Sequence, residues 1–289
     1  MNKSFDMCDN DTLKWEDNGV MYCLHVQHDD SPENPRYESY NLSTMACFCH
    51  DYDLGDLVSD SDAKEFWLDM VYSHVQNSEV YEAAINGKFK YIRVKNTGDT
   101  FSIYEDQNAL EADDPIHEEI DKSDFKYWII DDLTISDYMI LMEPYAEWLP
   151  LWLYDHSGIS ISCGERTYPY DDVWDSSCVG WIVMLKKDMK DLPGVNENNW
   201  KRIADKIMKG EVLVYDEYLT GDVYGYKLLS KEGEASEWEE ISSCWGFYGS
   251  NIWSNGIVES VGNGIENALD SGKYDIGTAE LHTVSYYTY

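Results

Sequence analysis

Apolar and polar positions follow clear periods in the first quarter of the chain. Val20–His28 and Leu42–Cys49 each alternate apolar and polar residues, a period of two that predicts β-strands. Over residues 62–77 apolar side chains recur at helical spacing, behind an N-capping pattern that begins at Asp62. Residues 1–19 are expected to be a loose lead-in.

The middle of the chain has a different pattern. Lys88–Val94 and Thr100–Tyr104 flank the turn sequence Asn96-Thr97-Gly98-Asp99, which predicts a hairpin. Residues 105–124 follow with nine acids and one lysine. This segment is expected to be either a solvated acidic helix and loop or a flexible excursion.

Strand and helix patterns are mixed again in the second half. The expected elements are strands at Leu149–Tyr154 and Cys178–Leu185, a helix at about Trp200–Tyr218, a hairpin of Val223–Leu229 with Ile241–Phe247, a last helix at about Ile257–Leu269 and a terminal strand at Ala279–Tyr287. Gly210 weakens the long helical pattern slightly.

These elements lack the regular βαβ alternation of parallel-sheet proteins. The predicted fold class is therefore α+β, with a mainly antiparallel sheet, flanking helices and an acidic insertion near the middle. We predict one α+β domain formed by residues 1–77 and 141–289. Residues 78–140 are predicted to form an inserted acidic subdomain of hairpin and helix.

Charge changes the picture more than any motif. The 289 residues include 56 acids and 21 bases, a formal net charge of −35. Residues 1–150 carry 33 acids against 10 bases and the remainder is acidic too, so the charge is not one tail. An aromatic fraction of 14% indicates a folded chain rather than a disordered acidic one. Such a surface repels nucleic-acid phosphates, which bind through Lys and Arg.

Cysteine usage and the N-terminal sequence favour a reduced compartment. The seven cysteines are an odd number in a chain too long to need disulfide staples. The first 18 residues are polar, and no stretch approaches the roughly 18 apolar residues of a membrane span. We expect a protein of the cytoplasm.

Several tryptophan- and glycine-centred strings follow one another along the chain. They are DDSPENPR (29–36), NLSTMAC (41–47), YDHSG (154–158), WDSSCVG (174–180), YLTGDVYG (218–225) and SCWGFYG (243–249). With their flanks, which cover about a third of the chain, they resemble a family of proteins common in phages and other mobile elements of gut and Gram-positive bacteria. That family has no assigned reaction.

The resemblance implies a mobile-element origin and a role in counter-defence, because accessory phage genes often serve that role. The chain departs from the family pattern at two places. Cys49 stands where His is expected after Cys-Phe, which weakens any family metal site. The acidic block at about 96–140 is longer than usual, which points to a specialised acidic surface.

The chain contains residue types used by hydrolases. Asp155, His156 and Ser157 are the three members of a triad, but strand neighbours point to opposite faces and no Gly-x-Ser-x-Gly elbow is present. His156 with Cys178 or Cys163 is a second arrangement, a thiol–imidazole pair. An enzyme of unassigned hydrolytic chemistry around Asp155, His156 and Cys178 therefore remains an alternative.

Metal-ligating residue types also occur near the first two strands. His28, Cys47, Cys49 and His50 are the candidates, but Cys-x-Cys-His is not a usual zinc-knuckle spacing. Strand alternation also places His50 on the opposite face from the two cysteines. We expect no metal, no cofactor and no catalytic residue.

The acidic surface is the candidate site. Carboxylates held on a rigid frame at the spacing of phosphates would imitate a nucleic acid and would be steered into a basic cleft. The residues predicted to form this surface are Glu105, Asp106, Glu111, Asp113, Asp114, Glu118, Glu119, Asp121, Asp124, Asp131 and Asp132.

The favoured hypothesis is a non-catalytic, phage-encoded inhibitor. It would bind the basic nucleic-acid groove of a host immune effector of CRISPR-Cas or restriction type, as an anti-CRISPR or anti-restriction DNA mimic. It would bind no nucleic acid itself and no membrane. An oligomerising structural phage protein is the other alternative, and a homodimer is left open.

Overall fold

The computed structural model describes residues 3–37, 40–57, 62–164, 175–233 and 236–278. Within these residues the strands are β1 (Asp11–Asp17), β2 (Val20–His28), β3 (Thr44–Cys47), β4 (Arg93–Asn96), β5 (Thr100–Tyr104), β6 (His117–Asp121), β7 (Ala146–Asp155), β8 (Ile159–Cys163), β9 (Ser176–Leu185), β10 (Val223–Glu232), β11 (Glu239–Tyr248) and β12 (Asp275–Thr278). The α-helices are α1 (Ala63–His74), α2 (Asn77–Ile85), α3 (Gln107–Ala112), α4 (Phe125–Ile129), α5 (Ile135–Met142), α6 (Trp200–Thr220), α7 (Ile257–Val261) and α8 (Ile265–Ser271). The predicted α+β class with mainly antiparallel sheets is confirmed.

The chain divides into two compact units. The first contains Met1–Ser39, Leu153–Ser162 and Gly210–Tyr289, and the second contains Tyr40–Trp152 and Cys163–Lys209. Residues 78–140, the predicted insertion, therefore lie entirely within the second unit. The predicted remainder of the chain is divided between the two units.

The first unit contains a five-stranded sheet in the order β11-β10-β2-β1-β12. The expectation of a loose lead-in over residues 1–19 was wrong, because β1 pairs with both β2 and β12. Asn18 and Gly19 join β1 to β2 with φ angles of 51° and 81°. Two residues with positive φ are what a tight hairpin turn requires.

Helices α7 and α8 cover the apolar face of this sheet. Leu13, Trp15 and Leu24 from the sheet share a core with Ile257 and Ile265 from the helices. The predicted single helix over 257–269 is thus two short helices. The chain breaks between them because Gly262, Asn263 and Gly264 all have positive φ.

β11 and β12 form the edges of the five-stranded sheet. Residues Glu239–Gly246 of β11 are exposed, and two register shifts interrupt its pairing with β10. Ile241 and Trp245 are among the exposed side chains. The terminal strand predicted at Ala279–Tyr287 lies outside the described residues.

The second unit contains a three-stranded sheet in the order β4-β5-β6. It also contains β3, β9 and most of β7, which belong to a four-stranded sheet in the order β3-β9-β7-β8. Trp67 of α1 is fully buried at its centre, with ring centroids 5.3 Å from Trp148 and 5.8 Å from Trp181. Residues from the predicted insertion, including Phe101 and Phe125, belong to the same core. No described helix combines the length and hydrophobicity that a membrane crossing requires.

Adding one methyl group should have opposite effects on stability at two glycines, Gly180 and Gly210. Gly180 in β9 has φ +155°, and a Cβ there would collide with the carbonyl oxygen of Ala46 in β3. Gly180→Ala should therefore lower the free energy of unfolding by about 3 kcal/mol. Gly210 in α6 has open space around it, so Gly210→Ala should raise the free energy of unfolding by about 1 kcal/mol. Urea unfolding followed by circular dichroism measures both; equal effects of the two substitutions would contradict the packing described.

Candidate functional site

The acidic segment is built into the fold of the second unit. Residues 105–124, for which either a solvated acidic helix and loop or a flexible excursion was predicted, form the short helix α3 and the strand β6. The side chain of Asp106 caps α3 by accepting a hydrogen bond of 2.8 Å from the amide of Ala109. Asp113 ends α3 in the left-handed conformation, with φ 56°.

Nearly all predicted residues of the acidic surface reach solvent. Asp106 is half-buried, and the exposed ones are Glu105, Glu111, Asp113, Asp114, Glu118, Glu119, Asp121, Asp124, Asp131 and Asp132. Lys122 and Lys126 are the two Lys or Arg residues between positions 105 and 132. The segment is therefore strongly negative where it meets solvent.

Lysine side chains in and beside this segment are engaged within the protein. Lys126 Nζ donates hydrogen bonds to the carbonyls of Val71 and Val75 at the end of α1. Lys122 Nζ lies 4.2 Å from the ring centroid of Tyr81. Neither cation is paired with a carboxylate of the surface, so most of the negative charge there is uncompensated.

Besides Asp106, two of the acids have local structural roles. Asp113 accepts hydrogen bonds from Lys95 Nζ at 2.7 Å and from the Tyr104 hydroxyl at 2.9 Å. The bond from Lys95 is the main reason why the pKa of Asp113 is lowered. Asp132 Oδ2 lies 2.9 Å from His117 Nε2. Asp113 is thus partly neutralised by Lys95, Asp132 is engaged in one hydrogen-bond contact, and the remaining acids carry most of the field.

A β-bulge places two successive glutamates on the surface. In the pairing of β5 with β6, Phe101 faces Ile120 and Ile103 faces His117, so Glu118 and Glu119 stand opposite a single residue. Glu119 has φ 52°, which is strained for a residue other than glycine. Regular alternation would turn Glu118 towards the same side as buried Ile120, and the bulge instead leaves both glutamates exposed.

The spacing of charge along β6 is close to that of a nucleic-acid strand. Glu118, Glu119 and Asp121 fall within three residue steps, or at most about 10 Å, because the bulge shortens the usual strand rise. One DNA strand carries a phosphate per roughly 3.4 Å of helix axis. Three carboxylates in this distance match that linear density.

The Asp155-His156-Ser157 sequence forms a turn between β7 and β8. The Ser157 hydroxyl donates a hydrogen bond of 2.6 Å to the carbonyl of His156, and Ser157 has φ 57°. The serine is therefore bonded to the backbone rather than to the imidazole, unlike the nucleophile of a hydrolase triad.

The two cysteines considered as partners of His156 have different environments. Cys178 in β9 is exposed and belongs to the second unit, whereas His156 belongs to the first. Burial raises the pKa of the Cys163 thiol to about 11, which keeps it protonated and unreactive at neutral pH. In the described part of the chain, no three His, Cys, Asp or Glu side chains group closely enough to hold a metal ion.

Motifs that are distant in sequence meet in the first unit. His28 Nε2 lies 2.7 Å from the Gly221 carbonyl, and Asp29 accepts a hydrogen bond from the amide of Gly246. These contacts join DDSPENPR and its preceding histidine to YLTGDVYG and SCWGFYG. The strings thus mark contacts that hold β2, β10 and β11 together.

The best-buried ion pair described belongs to the same region. Arg36 Nη1 donates to Glu211 Oε2 at 2.8 Å, and their side chains are 1% and 13% exposed. Removing one partner of such a pair leaves a buried charge. Arg36 of the DDSPENPR string is therefore a structural residue in this fold.

Glu217 near the end of α6 is a titratable group that the sequence analysis missed. Its carboxylate packs against Gly249, where a Cβ would lie 2.5 Å from Oε1. Burial, followed by the negative charges of Asp222 and Asp216, raises the pKa of Glu217 to about 7. The sequence signal that could have identified this group is the presence of three acids, Asp216, Glu217 and Asp222, within seven residues around the end of a helix.

An aromatic patch next to the acidic surface was also missed. Tyr127 and Trp128 lie on the outer side of α4, while Phe125 and Ile129 of the same helix are fully buried. Helical spacing within FKYWI could have separated the two faces.

Comparison of the chain with protein-family models, with curated proteins and with solved structures gave no match. The resemblance to a phage-borne family therefore rests on the quoted motifs alone.

Replacing Glu119 by glycine should stabilise the protein even though it removes a surface charge. Glycine adopts φ 52° without strain, so Glu119→Gly should raise the free energy of unfolding by about 1 kcal/mol. Glu118→Gly is the matched control and should lower it by about 0.5–1 kcal/mol, since a glycine in a strand costs entropy. Thermal unfolding measures both; stabilisation by neither glycine would contradict the bulge geometry.

Glu217 should make stability depend on pH. Its folded-state pKa lies above the unfolded value, so the penalty for ionising it is absent below about pH 4.3, grows as pH rises and is complete above pH 7. Glu217→Gln should therefore stabilise the protein at pH 8 by on the order of 1 kcal/mol, or about 2–4 °C in Tm. The gain should vanish near pH 4.5. Calorimetry across this range tests it, and an equal gain at both pH values would refute the assignment.

Proposed function

We propose that this chain is a non-catalytic inhibitor that acts in the host-cell cytoplasm. It occupies the basic nucleic-acid groove of an immune effector of restriction or CRISPR type. The observation that carries the proposal is the bulged strand β6, which displays Glu118, Glu119 and Asp121 at the linear charge density of a nucleic-acid strand. The resemblance to phage-borne proteins supports a role in counter-defence.

Electrostatics gives such an inhibitor its advantage. A chain with net charge −35 is attracted over long distances by a groove lined with Lys and Arg, which raises the association rate. Duplex DNA and the inhibitor would compete for the same cations. Binding should therefore be stoichiometric, weakened by salt and prevented by excess DNA.

Capture from a bacterial lysate tests the proposal. The immobilised full chain should retain a nucleic-acid-binding protein at low salt, and a 30-base-pair DNA duplex should release it. The triple variant Glu118→Gln, Glu119→Gln, Asp121→Asn should reduce retention at least tenfold, because three charge pairs are lost.

A second triple variant controls for net charge. Glu16, Glu237 and Glu259 are exposed residues of the first unit, and changing all three to Gln also removes three charges. This variant should retain the captured protein almost unchanged. Equal losses in both variants, failure of the duplex to release any captured protein, or inhibition of the captured enzyme at far below stoichiometric amounts would each contradict the proposal.

A further inference from the structure

The surface beside the acidic residues carries an unusual concentration of exposed aromatic side chains. Tyr127 is 74% exposed, Tyr72 is 49% exposed and Trp128 is 46% exposed. Exposed Tyr and Trp that lie together mark interaction surfaces more often than scattered apolar residues do.

The distances between these side chains place them in one patch with two of the acids. The ring centroids of Tyr127 and Trp128 are 5.7 Å apart, and Trp128 lies 5.5 Å from His117. His117 in turn lies 2.9 Å from Asp132. Lys126 Nζ of α4 lies 5.2 Å from the ring centroid of Tyr72, and partial burial, followed by the negative charge of Asp131, raises the pKa of the Tyr72 phenol. Aromatic rings and carboxylates therefore share one surface.

The patch is held rigidly. Phe125 and Ile129 anchor α4 in the core, and Lys126 ties the helix to the end of α1 through its bonds to Val71 and Val75. A rigid aromatic pair loses little conformational entropy on binding, which favours a role as an anchor.

We infer that this patch, formed by Tyr72, Tyr127, Trp128, Asp131 and Asp132, binds arginine side chains of a partner protein. The inference rests on the proposed function and names the partner residue type. A guanidinium can stack on an aromatic face while it donates two hydrogen bonds to a carboxylate, whereas an ammonium is a compact and strongly hydrated point charge. A patch that offers both rings and carboxylates suits arginine better than lysine.

Synthetic deca-arginine and deca-lysine peptides distinguish the two chemistries at equal charge. The full-length protein should bind labelled deca-arginine about threefold to tenfold more tightly than deca-lysine in fluorescence anisotropy at 0.1 M salt. The double variant Tyr127→Ala, Trp128→Ala should lose most of this preference and bind deca-lysine as before, since its charge is unchanged.

Tyr37→Ala is the matched control, because Tyr37 is 83% exposed but lies in the first unit. It should keep the full preference for arginine. If thermal unfolding shows that loss of the half-buried Trp128 destabilises the fold, Tyr127→Ala alone serves, with a partial loss expected. The double variant Asp131→Asn, Asp132→Asn should bind both peptides more weakly.

Equal binding of the two peptides by the unmodified protein would overturn the inference, as would an arginine preference that survives the double variant. Its failure is distinct from failure of the proposed function, which depends on DNA-releasable capture through β6. Each outcome can occur without the other, because the peptide measurement requires no immune effector.

Discussion

Carboxylates held close together repel one another, and the second unit keeps them in place because β6, which carries three of them, and α4, which lies between Asp124 and Asp131, insert apolar side chains into one core. Ile120 of β6 and Phe125 and Ile129 of α4 are buried in the cluster that contains Trp67. Each such side chain contributes about 1.5–3 kcal/mol by leaving water. Exposed like charges about 4 Å apart cost roughly 1 kcal/mol in water, and salt reduces this further. Apolar burial therefore outweighs the repulsion and fixes the acidic face.

Elements with a strong internal period were predictable, and those that depend on distant partners were not. The long amphipathic helix α6 and the alternating strand β2 match their predicted positions closely. β6 was not predicted, because its sequence HEEID is mostly charged and becomes a strand through pairing with β5. β1 had a detectable alternation of its own, and the Asn-Gly turn that follows it is a recognised hairpin signal.

The candidate surface was predictable in composition but not in geometry. Counting acids identifies the residues, yet the exposure of both Glu118 and Glu119 results from a bulge that depends on the register with β5. The environment of Glu217 combines an acid at the end of α6 with Asp222 and with a glycine 32 positions later in the chain. Such environments arise from non-local packing, for which a single sequence carries little signal.

The open edge of β11 has a consequence for handling the protein. An exposed outer strand that bears Ile241 and Trp245 invites another strand to pair with it, and Glu239 and Glu240 at its start oppose this by charge. Salt screens charges that are exposed to solvent, so high ionic strength weakens the general repulsion between molecules and the local protection of this edge together. Self-association in concentrated salt is therefore a property of the fold.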